Sequence, residues 1–233
     1  KAERYMTDQR YPEAVIEFRN ALKNDPKDAH THLRLGVAYL KVTRAIALIA
    51  FPMTLGLVSI ADLLVQTALG SAWSPVIPLL VILGPLAALQ AIGTTVGYVY
   101  QAMARTDLLL RWGAGAGILL VASFAIGLRW GIVGVAACYS MVSYALAYPL
   151  FRIPLSLVGL RVFDMARTVS RPLMCTVAML IVVFLMKRML PQTLDGGEAL
   201  GILISAAIVV YACATWLWNR DSAAEVITLA RRA

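Results

Sequence analysis

Polar side chains set inside long apolar runs are the residues here whose types and spacing could do chemistry, because charge in hydrocarbon is costly and tends to be kept for a purpose. Asp62 stands late in one such run, with Gln66 one turn further on the same helical face. Two readings stay open for Asp62: a carboxylate facing a water-filled cavity, or one placed near the outer interface. Gln90, Thr94, Thr95, Tyr98 and Gln101 form a polar stripe, and Gly93 with Gly97 adds a small-xxx-small face for close packing. Tyr139, Ser140, Ser143, Tyr144 and Tyr148 make a second polar, aromatic face. It suits stacking on sugar rings and equally suits hydrogen bonding between helices. Arg105, Asp107 and Arg111 flank one mouth of these runs and Arg129 the other. The forked guanidinium donors suit an anionic substrate, and the competing role is the anchoring of helix ends.

Other chemistry lacks its residues. There is no Ser/His/Asp set, no metal-spaced His or Cys pattern, and no nucleotide loop beside a strand. Gly113, Gly115 and Gly117 lie in apolar surroundings and read as a packing surface. His30 and His32 are two apart on a helix, so they point in different directions and make a poor metal pair. Cys138, Cys175 and Cys213 all fall in apolar runs and give no disulfide framework. No cofactor, no metal and no enzymatic activity is expected. Transport, if any, would draw on an ion gradient or on the substrate's own gradient.

The elements that must position these residues are apolar helices. Of 233 residues 60% are hydrophobic and 15% charged, and the mean hydropathy is +0.75. Residues 1–44 carry nine Lys/Arg and six Asp/Glu, whereas residues 45–233 carry twelve and seven. That partition excludes a wholly soluble protein and predicts three parts: a helical head over 1–41, a membrane body over 42–218 and an amphipathic tail over 219–233. Counting apolar runs against the ~20 residues needed to cross hydrocarbon gives six spans, near 45–69, 76–103, 109–128, 131–151, 173–186 and 199–218. The fold class is therefore all-α and polytopic.

Loop charges set an orientation. One set of loops holds Lys41, Arg44, Arg105, Arg111, Arg152, Arg161, Arg167, Arg171, Arg220, Arg231 and Arg232, and the other only Arg129, Lys187 and Arg188. The positive-inside rule then puts both termini in the cytoplasm. The basic excess consequently reports topology and not nucleic acid. Residues 152–171 alternate apolar residues with arginines and read as an amphipathic stretch along the inner interface, able to touch anionic lipid. The sequence Ser222-Ala223-Ala224-Glu225 has capping-box spacing and opens a short terminal helix. Starting at Lys1 without a signal-peptide pattern, the chain reads as a fragment or a processed form.

The head shows a 34-residue period, with Ala2 and Gly36, and Tyr5 and Tyr39, in register. Pro12 sits in the first turn of one helix, Ala14, Phe18, Ala21 and Leu22 share its face, Asp25-Pro26 ends it, and Asp28 can cap the next. Ala14, Phe18, Ala21 and Pro26, followed by Leu35-Gly36 and Tyr39, resemble about one and a half tetratricopeptide repeats, with His32 where that family favours Trp. One and a half copies bury little core, which leaves partner binding by this head a secondary expectation.

The body carries a second resemblance. Phe51-Pro52 with Gly56, Leu69-Gly70 with Trp73 and Pro75, Gln101-Ala102 before Arg105-Thr106-Asp107, residues 130–136 (Trp-Gly-Ile-Val-Gly-Val-Ala), and Arg152 through Gly159-Leu160 stand in an order similar to the carboxy-terminal half of a polysaccharide flippase. The resemblance is to O-antigen-type members of the multidrug/oligosaccharidyl-lipid/polysaccharide superfamily, near the lipopolysaccharide-export branch. It implies translocation of a lipid-linked oligosaccharide across a bacterial inner membrane, through a cavity between two pseudo-symmetric bundles, of which this chain holds one. The substrate-path candidates under it are Asp62, Gln66, Gln90, Tyr98, Gln101, Arg105, Asp107, Arg111, Arg129 and Tyr144. Two functional readings remain: a flippase whose activity depends on a second bundle, and a non-transporting anchor that presents the repeat to polysaccharide-assembly partners.

Overall fold

The computed structural model describes residues 1–8, 10–24, 28–190 and 194–218. Among them every regular element is helical: α1 (Ala2–Thr7), α2 (Tyr11–Asn24), α3 (Ala29–Ser59), α4 (Ala61–Leu64), a π-turn (Val65–Leu69), a 3-10 segment (Ser71–Val76), α5 (Ile77–Gly93), α6 (Val96–Ala102), α7 (Thr106–Gly127), a 3-10 turn (Leu128–Trp130), α8 (Gly131–Leu157), α9 (Val162–Met189) and α10 (Gly196–Trp218). The proposed tail helix and the Asp25-Pro26 stop lie outside the described residues.

Local rules explain several ends. Asp28 caps α3: its Oδ1 accepts the His30 N–H at 3.0 Å and its other oxygen accepts the Thr31 hydroxyl. That hydroxyl is the main cause holding the Asp28 carboxyl below its usual range. Asp164, in the first turn of α9, accepts the Arg161 N–H at 2.9 Å. At the other end of α8, Gly159 takes φ +73°, the Leu160 N–H reaches the Leu155 carbonyl and the Gly159 N–H reaches that of Ser156. This pair of bonds is the Schellman arrangement, which favours glycine. Ala104 closes α6 the same way at φ 53°, with Arg105 N–H to Tyr100 O and Ala104 N–H to Gln101 O, but without glycine's freedom.

Five stretches are long and apolar enough to cross a membrane: His30–Ser59, Ser71–Ala102, Thr106–Leu157, Val162–Met189 and Gly196–Trp218. The third is 52 residues long and holds two helices, α7 and α8, that fold back on each other. A Cβ on Gly127 would lie 2.6 Å from Val135 Cα, and the Phe124 and Tyr139 rings sit 5.3 Å apart, so facing pairs step outward from the turn. The close approach therefore falls at Gly127. The expected packing surface does not form: a Cβ built on Gly113, Gly115 or Gly117 would meet nothing within 4 Å among the described residues. Gly97 likewise meets nothing, while a Cβ on Gly93 would touch Leu150 at 3.4 Å, so only half of the anticipated small-residue face packs.

Helix ends differ from the charge-based reading. α3 runs through Lys41-Val42-Thr43-Arg44 without a break, since none of these residues interrupts a helix and Thr43 Oγ1 bonds back to the Tyr39 carbonyl at 3.0 Å. The fifth run, short by hydropathy, is a 28-residue helix that includes Arg167 and Arg171. Residues 152–171 are the end of α8 and the start of α9 joined by a turn, rather than a separate amphipathic element.

The chain divides into two compact units. One comprises Lys1–Ile46 with Gln90–Val169, the other Ala47–Leu89 with the described residues from Ser170 onward. In the first, α2 buries Tyr11, Ala14, Phe18 and Leu22 and packs against α1 and α6, and α6 also packs on α7 and α8. In the second, the buried cluster is Ile60, Met179, Val183 and Leu203.

Candidate functional site

In the first unit, α5, α6 and α8 position the polar candidates. Gln90, in the last turn of α5, donates from Nε2 to the Tyr139 hydroxyl at 2.7 Å, joining two residues that the sequence assigned to separate polar faces. The expected stripe does not continue as one face. α5 ends at Gly93, and the turn at 94–95 directs Thr95 into the core, 2% exposed, where its hydroxyl bonds the Ile92 carbonyl at 2.8 Å and meets the Thr43 hydroxyl at 3.4 Å. Beyond the turn, Tyr98 and Gln101 are exposed on α6.

Arg105 stands just outside α7 with its Nε 3.5 Å from Asp107 Oδ1, both side chains about half exposed. Solvent screens such a pair, so it orients the guanidinium more than it stabilises the fold. Arg111 is exposed one turn beyond Asp107, and Arg129 is exposed in the 3-10 turn between α7 and α8. Tyr144 is 45% exposed at the middle of the 27-residue α8, Tyr148 follows one turn later, and the Arg152 guanidinium lies over the Tyr148 ring at 5.6 Å.

In the second unit the geometry adds partners that sequence reading missed. Asp62, in α4, pairs with the Lys187 ammonium of α9, which also approaches the Ser59 carbonyl at 3.4 Å. The sequence reading treated Lys187 as an interfacial anchor only. A carboxylate in an apolar run calls for a cation, and Lys187, at the end of another apolar run, was the signal available. Gln66 is exposed in the π-turn and does not join this pair. Tyr211 on α10 was missed entirely. Pro52 has no N–H to give the Leu48 carbonyl four residues back, and the Tyr211 hydroxyl supplies that donor at 2.6 Å. Beside it an apolar groove of about 500 Å³ opens between Met53, Gly56, Met179, Val183, Leu203 and Ile208. Among the described residues no His, Cys, Asp and Glu cluster is suited to a metal ion.

No solved structure matches the chain. Residues 26–78 match the polysaccharide biosynthesis protein family. The chain is also 27% identical over 110 residues, 47% of its length, to the lipopolysaccharide biosynthesis protein WzxC of Escherichia coli (strain K12), covering 22% of that protein. Over 150 residues, 63% of its length, it is 27% identical to the teichuronic acid biosynthesis protein TuaB of Bacillus subtilis (strain 168), covering 30% of it. It spans less than a third of either relative, and what these matches and the helices together establish is a multi-pass membrane protein similar to polysaccharide-biosynthesis proteins.

Proposed function

We propose that this chain forms part of the route by which a lipid-linked oligosaccharide crosses a bacterial inner membrane during assembly of a lipopolysaccharide or exopolysaccharide. The observation that carries the reading is the likeness to TuaB over 63% of the chain, which includes much of the membrane body. In this reading α7 and α8 each cross the membrane, so the five apolar stretches make six spans. Asp62, Gln66, Gln90, Tyr98, Gln101, Arg105, Asp107, Arg111, Arg129 and Tyr144 then contribute to the path. Arg105 and Arg111 serve a cytoplasmic loading mouth and Arg129 the opposite one. The rival reading, a silent anchor displaying a tetratricopeptide-like head, is weaker because the apolar face of α2 is already spent on α1 and α6 of the same unit.

The test is export of polysaccharide by cells that carry the chain within a complete reading frame. Arg105→Ala should reduce export by about tenfold at equal membrane abundance, the loss expected for one charge-assisted hydrogen bond. Leu110→Ala, an exposed apolar change on α7, should not. Wild-type export from Arg105→Ala would leave that residue an anchoring role alone, and no export from the unaltered protein would sink the transport reading.

A further inference from the structure

Tyrosine belongs at membrane interfaces, where its ring meets hydrocarbon and its hydroxyl meets water. Tyr144 breaks that rule. It lies 13 residues from each end of α8, Gly131 and Leu157, so about 20 Å of helix separates it from either terminus. It nonetheless leaves 45% of its surface uncovered, and Tyr148 leaves 57%. Hydroxyls facing acyl chains at that depth would go without partners, which is costly. A helix face carrying them fits a polar occupant. Tyr144, Tyr148 and Arg152 follow at intervals of four and form one row about 12 Å long. Along it the chemistry changes from two aromatic rings to a cation. Arg152 keeps its guanidinium over the Tyr148 ring at 5.6 Å, and no carboxylate among the described residues pairs with it.

We infer that this row on α8 is a binding site for a phosphosugar headgroup, with Arg152 holding the phosphate and the rings of Tyr148 and Tyr144 stacking on the first sugars. Guanidinium presents parallel N–H donors that match a phosphate's oxygens, and its position over Tyr148 limits the rotamers it must give up on binding. Sugar rings offer a C–H face to an aromatic ring and hydroxyls to a phenol oxygen, and tyrosine supplies both contacts. A phospholipid headgroup would use the arginine but gain little from two further rings. The inference rests on the transport reading and adds to it Arg152, read from the sequence only as a loop charge, and Tyr148, which stands on the aromatic face suited to sugar stacking but not among the substrate-path candidates.

The test is equilibrium binding to the full chain in phosphatidylcholine nanodiscs with three probes: a polyprenyl pyrophosphoryl N-acetylglucosamine, the same polyprenyl pyrophosphate without sugar, and phosphatidylglycerol. Arg152→Ala should weaken both pyrophosphates roughly tenfold, with Arg152→Lys recovering part of the loss. Tyr144→Ala with Tyr148→Ala should weaken the sugar-bearing probe by a similar factor and leave the sugar-free one unmoved. Leu110→Ala serves as the control, and a helical circular dichroism spectrum establishes that each variant is folded. If the wild type binds the sugar-bearing probe and every α8 variant matches it, the headgroup site is elsewhere and the transport reading stands. Loss of phosphatidylglycerol binding in Arg152→Ala, with no effect from the tyrosine changes, would make the row a plain anionic-lipid anchor. A wild type that binds neither pyrophosphate better than phosphatidylglycerol would overturn the inference, while the export assay decides the transport reading.

Discussion

At the scale of single residues, the second unit solves one problem of membrane helices through a side chain. Pro52 lies inside α3 and leaves the Leu48 carbonyl without its helical donor; in hydrocarbon no water can replace it. The Tyr211 hydroxyl of α10 does so at 2.6 Å. Tyr211→Phe should therefore lower stability by about 1–3 kcal/mol, the usual cost of an unpaired buried acceptor. Pro52→Ala restores an N–H four residues after Leu48, and in that background Tyr211→Phe should cost markedly less. Thermal unfolding of the four proteins in detergent gives the coupling energy, expected to exceed about 0.5 kcal/mol. Strict additivity would mean that Tyr211 acts through packing alone. None of this was legible beforehand: Pro52 marks a free carbonyl, but only the fold says which hydroxyl arrives there. The Asp62–Lys187 pair was half legible, since each charge was visible and their meeting was not.

At the scale of elements, the apolar runs read clearly and their ends did not, because hydropathy stops at a charge and a helix does not. Arg167 and Arg171 lie inside α9, and Lys41 and Arg44 inside α3. Backbone geometry sets the true ends, and two of them can be compared directly. Gly159 after α8 and Ala104 after α6 close their helices with the same two bonds, at φ +73° and 53°. A left-handed residue with a Cβ costs about 1–2 kcal/mol, only partly offset by the smaller unfolded-state entropy of alanine, about 0.4–1 kcal/mol. Ala104→Gly should thus raise stability by about 0.5–1 kcal/mol, and Gly159→Ala should lower it by a similar amount. A Cβ at Gly159 meets nothing within 4 Å, so the second change tests backbone strain without a clash. Chemical denaturation of both variants in one detergent is the measurement, and a stabilising Gly159→Ala would contradict the cap assignment. The polar stripe from Gln90 to Gln101 failed for a related reason: it assumed one uninterrupted helix, and the turn at 94–95 sends Thr95 inward.

At the scale of the whole molecule, composition announces the membrane, and the proposed function supplies a cargo. What decides how that cargo is handled is which side each mouth faces. Along the sequence, eleven cationic side chains flank the apolar runs at one set of ends and three at the other. Basic flanks resist translocation, so the first set should be cytoplasmic, and under the proposed function Arg105 would then be a loading residue rather than an exit residue. Single cysteines in a protein lacking Cys138, Cys175 and Cys213 can report this. Ser71 and Asp195 are exposed on the side predicted to be external, and Thr106 and Ala166 on the side predicted to be internal. Gly196, beside Asp195, is the poorer choice, because a Cβ there would lie 2.6 Å from the Thr67 hydroxyl. A membrane-impermeant maleimide added to intact spheroplasts should modify the cysteines at 71 and 195 at once, and those at 106 and 166 only after permeabilisation. Both hairpin ends of α7–α8 enter the comparison, since Thr106 opens α7 and a cysteine at Arg129 should label with the external group. That last position also separates six spans from five: if α7 and α8 both cross, 129 labels from the side opposite to both 106 and 166, and if only one of them crosses, 106 and 166 label from opposite sides. Labelling at 106 from outside, with 71 protected, would invert the orientation and move substrate loading from Arg105 to Arg129.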